Sequence, residues 1–241
     1  NVGILFDDNR LNDETSRLLR KLEEQQREDG AWPWFPGGPA NEYITLYITT
    51  GFGRLRHLGA DLDVAAAVKS LTRLDTWIDE TYREILKHGA KDKDKNHLST
   101  TIALYLYGRS FFLRDQPVGD AHREAVQYFL GQARQYWLDL ANRQSQAHLA
   151  VALKRFGDRD TPQAIMQSIK ERSVTDEELG MFWRELELSW WWYRAPIETQ
   201  AMMIEAFDEV MNDAQAVEDC KVWLLKQKQT QDWKTTKATA D

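Results

Sequence analysis

"KLEEQQREDGAWPWFPGGP", Lys21 to Pro39, ends a charged, amphipathic segment on a knot of turn-forming and aromatic residues. From Gln25 onward it holds two Trp, a Phe, three Gly and three Pro, so a helix cannot continue through it. Gln25 or Gln26 can bond loop backbone, Asp29-Gly30 permits a tight turn, and Trp32 can pack down on helix ends. The far end of the chain repeats the grammar: "WLLKQKQTQDW", Trp223 to Trp233, also runs Leu, Gln, a polar stretch, Asp, Trp. Each stretch stands where a charged helix hands over to an apolar one. The loop therefore reads as a corner with Trp32 as its buried pin, and with Trp34 and Phe35 nearer the surface.

Outward from this corner, helical periodicity runs almost without a break. "NDETSRLLRKLEEQQ" spaces Leu18, Leu19 and Leu22 on one face, with a cap expected at Asn12 or Asp13. "EYITLYITTGFGRLRHLG" stops at Gly59, and "DLDVAAAVKSLTRLDTWIDETYREILKHG" is a long amphipathic helix. "AKDKDKN" reads as a solvated loop. Further helices follow around Ile102, Val126, Leu149, Ile165, Met202 and Val217, and Pro162 suits a first helical turn. Only "GMFWRELELSWWWYRAP", Gly180 to Pro196, reads as extended, with a short hairpin expected there.

The helices alternate in character. Those near Ile44, Ile102, Leu149, Met202 and, truncated, Ala238 are apolar on most faces and carry small residues and hydroxyls; the others are charged on one side. A helix that is apolar all round is buried all round. Two alternating populations imply an inner and an outer ring, with the inner members recurring every roughly 40–55 residues. The fold expected is all-α: an α/α toroid of about five to six helix pairs, in a single domain over 1–241.

Composition excludes several functions. The 241 residues carry a net charge of −7, with 42% hydrophobic and 29% charged residues, which suits a globular core. No basic block offers a nucleic-acid surface, and no apolar run approaches the roughly 20 residues of a membrane helix. Cys220 is the only Cys, so neither an internal disulfide nor a Cys-based zinc site is available. His57, His88, His97, His122 and His148 lack metal-binding spacing, and "PGGP" lacks both the Lys and the preceding strand of a phosphate loop. No cofactor or metal is expected. The start, "NVGILFDDNR", lacks Met and the features of a signal peptide, and the tail "TTKATAD" begins like the inner helices. Both suggest an excised or processed piece of a larger multidomain protein.

Corners of the Gln…Asp-Gly-x-Trp kind resemble those of the α/α-toroid superfamily of terpenoid cyclases, prenyltransferase β-subunits and complement thioester domains. Four longer strings narrow the likeness: Asp29 to Gly59, His97 to Phe112, "WWWYRAPIETQAMMIEAF" from Trp190, and "WLLKQKQTQDWKTTKATAD" from Trp223. They resemble the thioester-domain region of the bacterial alpha-2-macroglobulin family, over essentially the whole chain. The resemblance implies a fragment of a large, anchored envelope protein with many β-domains and a role in endopeptidase inhibition. It implies the periplasm or cell envelope as location, and proteinases and other parent domains as partners. The family's Cys-x-Glu-Gln thioester motif is absent; Cys220 sits in "EDCKVWL". Covalent trapping chemistry therefore maps onto no residue here, and the chain is expected to be a monomeric, non-catalytic interaction domain.

Competing readings attach to particular residues. Asp61 and Asp63 resemble the acid run of terpene cyclases, but carboxylates before a helix usually cap it. Glu198 and Asp29 could serve as the carboxylate pair of an α/α-barrel glycoside hydrolase or polysaccharide lyase, which needs a separation of about 5–9.5 Å across one cleft. Ser99, Thr100 and Thr101 after His97 look like caps rather than nucleophiles. For partner contact the residues singled out are Trp34, Phe35, Trp190, Trp191 and Trp192, and no catalytic residue is assigned.

Overall fold

The computed structural model describes residues 8–184 and 196–230. The described part is mostly helical: α1 (Asp8–Gln25), α2 (Glu42–His57), α3 (Ala65–Lys87), α4 (Ala90–Lys93), α5 (Thr100–Ser110), α6 (Asp120–Tyr136), α7 (Arg143–Arg155), α8 (Asp160–Glu171), α9 (Pro196–Ala206) and α10 (Ala214–Thr230). One two-stranded antiparallel sheet, β1 (Val174–Asp176) with β2 (Gly180–Phe182), pairs Thr175 with Met181. A π-helical turn, Phe207–Met211, extends α9.

The helices form two rows. In one, α2 packs on α5, α5 on α7 and α7 on α9. In the other, α3 packs on α6, and the rows meet through α2–α3, α7–α8 and α9–α10. The first row holds the helices whose sequences are apolar on most faces. In α7 every residue from Ser145 to Leu153 is buried; in α5 burial covers Tyr105 through Ser110. Each buried Leu or Ile contributes about 1.5–3 kcal/mol, so this row is the stable centre.

Local chemistry sets the ends. Asn41, Ser99 and Asn142 accept the N–H groups of Ile44, Ile102 and Ser145 at the starts of α2, α5 and α7, satisfying donors that have no intrahelical partner. The hydroxyls of α2 serve packing: Thr45, Thr49 and Thr50 bond back to the carbonyls of Asn41, Thr45 and Leu46, and Thr49 meets Ser70 of α3 at 2.6 Å. Between the rows lies a buried ion pair. Arg109 of α5 donates to Asp75 of α3 at 2.9 and 3.2 Å, Tyr105 donates to the same carboxylate, and the guanidinium also reaches the carbonyls of Phe112 and Gln116. Burying both charges carries a desolvation penalty that these bonds offset, and removing one partner costs about 3–5 kcal/mol.

Some boundaries differ from the sequence reading. α1 begins at Asp8, so Asn12 and Asp13 lie inside the helix, past the N-cap position. Ala90–Lys93 forms a short helical turn where a loop is expected. The hairpin begins earlier than expected, at Val174, because "VTD" supplies the partner strand for Gly180–Phe182. Its expected continuation, with Trp190, Trp191 and Trp192, lies outside the described residues, as do Trp233 and Ala238.

Candidate functional site

The first corner has a buried layer and an exposed one. Trp32 is 1% exposed, and its indole N–H donates to the carbonyl of Leu22 near the end of α1 at 2.7 Å. The ring stacks on Phe52 of α2 at 6.4 Å, and the backbone N–H meets the Thr45 hydroxyl at 2.8 Å. Gln26 donates its amide to the carbonyls of Gly30 and of Ala66 in α3, at 2.9 and 2.7 Å. Gly30 has φ +83°, and a Cβ there would collide with the Lys69 carbonyl; only glycine fits both conditions. Trp34 and Phe35, by contrast, are 66% and 59% exposed. Both sides of the expected division hold.

A second corner uses the same parts. Trp183 is buried, donates its indole N–H to the carbonyl of Ile169 near the end of α8 at 2.9 Å, and stacks on Phe207 at 6.4 Å. Gly180, φ +76°, presses on the backbone of α10 at Asp219. Gln200 donates to the carbonyls of Met181 and Cys220 at 2.6 and 3.3 Å. Sequence reading finds the echo at Trp233 and misses this one. The signal present was "GMFW" against "GAW", each Gly followed closely by Trp.

The opposite end of the first row carries charge. The C-terminal ends of α2, α5, α7 and α9 converge there, so these four helices run parallel. Arg155 of α7 donates to Glu209 at 2.8 and 2.5 Å and to Glu205 at 3.1 Å. Tyr107 donates to Glu205 at 2.6 and 2.7 Å, Arg54 lies 3.8 Å from it, and His57 lies 3.6 Å from Glu209. Lys154 donates to the Glu209 carbonyl. Arg155 also lies over Phe111, 4.1 Å from the ring centre. Burial pulls its pKa down, but the bonds to Glu209 and the charge of Glu205 outweigh that and push it up. Burial, reinforced by Glu205, holds Tyr107 well above the usual phenol range.

The nearest donor atoms of His57, Glu205 and Glu209 lie within 4.8 Å of one another, close enough for one cation. The Arg155 guanidinium already binds both carboxylates and occupies that role, so the donor set does not fit a metal as it stands. The cluster is a clasp joining four helix ends. It escaped the sequence reading, although Glu205 and Glu209 stand one turn apart in "IEAFDEVM", with Asp208 between them.

The other singled-out residues fall into bland roles. Asp63 accepts the Ala65 N–H at 2.8 Å from one residue before the N-cap position, which is Val64 and makes no side-chain cap bond, so the expected cap at Asp61 or Asp63 is not formed as such. Asp29 accepts the Ala31 N–H and lies 3.7 Å from Arg27, while Glu198 is buried in the first turn of α9. His97 bonds the carbonyl of Asp92 at 2.7 Å and Ser99 caps α5, so the two are engaged in separate bonds. Cys220 is fully buried, and burial pushes its thiol to about 12, far from a nucleophile's range. No described helix is long and apolar enough to cross a membrane.

No family model matches the chain, and no curated protein matches it. Solved structures do. Over 92% of its length the chain superposes on Escherichia coli alpha-2-macroglobulin activated by porcine elastase, with a TM-score of 0.58 and 17% identity. The native E. coli protein, spanning domain MG7 to the C-terminus, gives 0.55 at 18% identity over 92% of this chain. Salmonella alpha-2-macroglobulin reacted with methylamine gives 0.54 at 18% identity over 91%. The chain shares their fold. It spans 18%, 32% and 13% of those chains, so the likeness is to one part of much larger molecules.

Proposed function

We propose that the chain is a non-catalytic structural and interaction domain of a bacterial alpha-2-macroglobulin-like protein, arranged as an α/α toroid in the thioester-domain position. The observation that carries this is the superposition of more than nine-tenths of the chain on a small portion of those molecules. The parallel row of apolar helices backed by a second row supports the toroid. In this reading the parent is an envelope or periplasmic protein that contributes to endopeptidase inhibition. This domain is monomeric and meets other parent domains or a proteinase through Trp34 and Phe35, with Trp190, Trp191 and Trp192 as further contact residues.

The hydrolase or lyase alternative needs two free carboxylates facing one cleft. Asp29 is engaged in the corner, Glu198 is buried, and Glu205 and Glu209 are held by Arg155. The test has two arms. Incubation with labelled methylamine is expected to give no covalent uptake, since the chain lacks Cys-x-Glu-Gln. Incubation with a panel of polysaccharides is expected to release no new reducing or unsaturated ends. Release that is lost in Glu198→Gln would replace this reading with the enzyme one.

A further inference from the structure

A polar cleft of about 580 Å³ lies between α3, α6 and the turn that follows α4, and it shares no residue with the two Trp corners or the charged clasp. Its size is that of a ligand site, about 300–1,000 Å³. Its walls are held in place. Tyr82 of α3 is buried, donates to Glu124 of α6 at 2.7 Å and packs its ring on Tyr128 at 4.8 Å. The facing wall is tied to α6 through its backbone. Tyr128 donates to the Lys93 carbonyl at 2.8 Å, Tyr136 to the Asp94 carbonyl at 2.7 Å and Gln132 to the Lys95 carbonyl at 3.1 Å.

The floor is a stripe of α6. Gln127, Gly131 and Gln135 stand four residues apart, so they share one face, with the two amides about 12 Å apart along the axis at roughly 1.5 Å per residue. Gln127 is exposed and bonds nothing among the described residues; Gln135 gives only one N–H, to Tyr136 at 3.1 Å. Glycine weakens a helix interior. Gly53 and Gly108 have a packing reason, since a Cβ there would collide with Phe111 or Thr50. At Gly131 a Cβ would meet nothing within 4 Å, so no neighbour demands that glycine. The gap it leaves lies between two amides at the bottom of the cleft.

We propose that this cleft binds an extended polypeptide segment that carries a basic side chain. An amide side chain offers one carbonyl and one NH₂, the complement of a peptide group. An extended chain covers about 12 Å in roughly four residues, so Gln127 and Gln135 each take one peptide group, and Gly131 lets the backbone between them lie against the helix. The charge of the passenger follows from the lining. Glu124 spends one carboxylate oxygen on Tyr82, and the Asp94 carboxylate is in no hydrogen bond or ion pair among the described residues. Lys93, the cation of the lining, already lies over the Tyr82 ring, 5.6 Å from its centre. A Lys or Arg side chain complements those carboxylates. A saccharide fits less well, because it needs an open aromatic face: Tyr82 is buried, and the Tyr128 ring is packed on Tyr82 and on Phe129 at 5.0 Å.

Fluorescence anisotropy with the full chain tests this. The probes are labelled, end-blocked Gly/Ser hexapeptides whose two central residues are both Lys, both Glu or both Leu, and a labelled cellohexaose. The Lys peptide is expected to bind saturably, at least about tenfold more tightly than the Glu or Leu peptide, a difference of about 1.4 kcal/mol. Gly131→Leu is expected to abolish that binding by filling the cleft. Its side chain enters open space and suits a helix better than glycine, so thermal unfolding of this variant should come at or above the parent temperature. Asp94→Asn keeps the backbone bond to Tyr136 and is expected to weaken the Lys peptide several-fold, and Gln127→Ala with Gln135→Ala to weaken it further. Equal binding of the Glu or Leu peptide would overturn the proposal, as would no saturation by the Lys peptide up to about 1 mM. Lys-peptide binding that survives in folded Gly131→Leu would place the contact elsewhere and overturn it too. Cellohexaose binding that is tighter than the peptide's and lost in Gly131→Leu would make the cleft a carbohydrate site instead.

Discussion

The corner at Trp32 and the corner at Trp183 solve one problem with the same four contacts. In each, an indole N–H donates to a carbonyl near the end of the preceding helix, and the ring stacks on an aromatic of the following helical segment. In each, a glycine with positive φ lies on the backbone of a neighbouring helix, α3 or α10, and a glutamine amide ties the turn to that helix. They differ in what is added. The first corner carries Trp34 and Phe35 out into solvent after the pin; the second places a hairpin before the pin. The shared contacts hold helix pairs together, and the additions are free to serve something else. A loop rich in Trp is thus two objects, and only its exposed half is available to a partner.

If the two corners are equivalent, their variants should match. Trp183→Ala is expected to destabilise by about 3–5 kcal/mol, as Trp32→Ala should, because each leaves a large cavity and an unpaired carbonyl. Urea melts that separate the two by more than about 2 kcal/mol would break the comparison. Gly30→Ala and Gly180→Ala come next, at about 1–3 kcal/mol each from left-handed backbone strain, with the collision against α3 or α10 adding to it. Normal stability in either would show that its turn has another way to fit. Gln26→Ala and Gln200→Ala each strand two carbonyls and should cost about 1–3 kcal/mol, with Gln200→Ala the costlier because its bonds are the more deeply buried.

A pH-dependent effect concerns Cys220, which lies under the second corner and has no counterpart under the first. Its thiol is raised to about 12 in the folded chain, against about 8.5 unfolded. The folded state therefore holds the proton more tightly. That contribution is complete below about pH 8.5 and is lost as pH rises toward 12. Cys220→Ala removes it, so the stability difference between variant and parent should shrink with rising pH across that window. Rapid thiol labelling of the native protein at pH 8 would contradict the burial on which this rests.

Much of this was legible in the chain. Helices that are apolar all round had to be buried, and α5 and α7 are. Trp32, Trp34 and Phe35 sorted correctly because a turn that closes on α1 leaves room for one indole inside. Trp183 was missed because the hairpin lengthens the path from Ile169, so the spacing from helix-end carbonyl to indole no longer repeats. The Arg155–Glu205–Glu209 clasp was missed for a different reason. Arg155 and the two glutamates come from separate helices, and only the parallel packing of α7 and α9 brings those ends together. Helix starts were the least legible, as at α1, because several Asp and Asn in succession can all begin a helix.

The central claim is that the Trp-rich loop is a structural pin carrying exposed aromatics, and equilibrium urea unfolding of Trp32→Ala beside Trp34→Ala tests it most directly. The account predicts a loss of about 3–5 kcal/mol for Trp32→Ala and within about 0.5 kcal/mol of parent stability for Trp34→Ala. The reverse ranking would contradict it, making Trp34 the pin and Trp32 the surface residue, and the carbohydrate-binding reading of the loop would take its place.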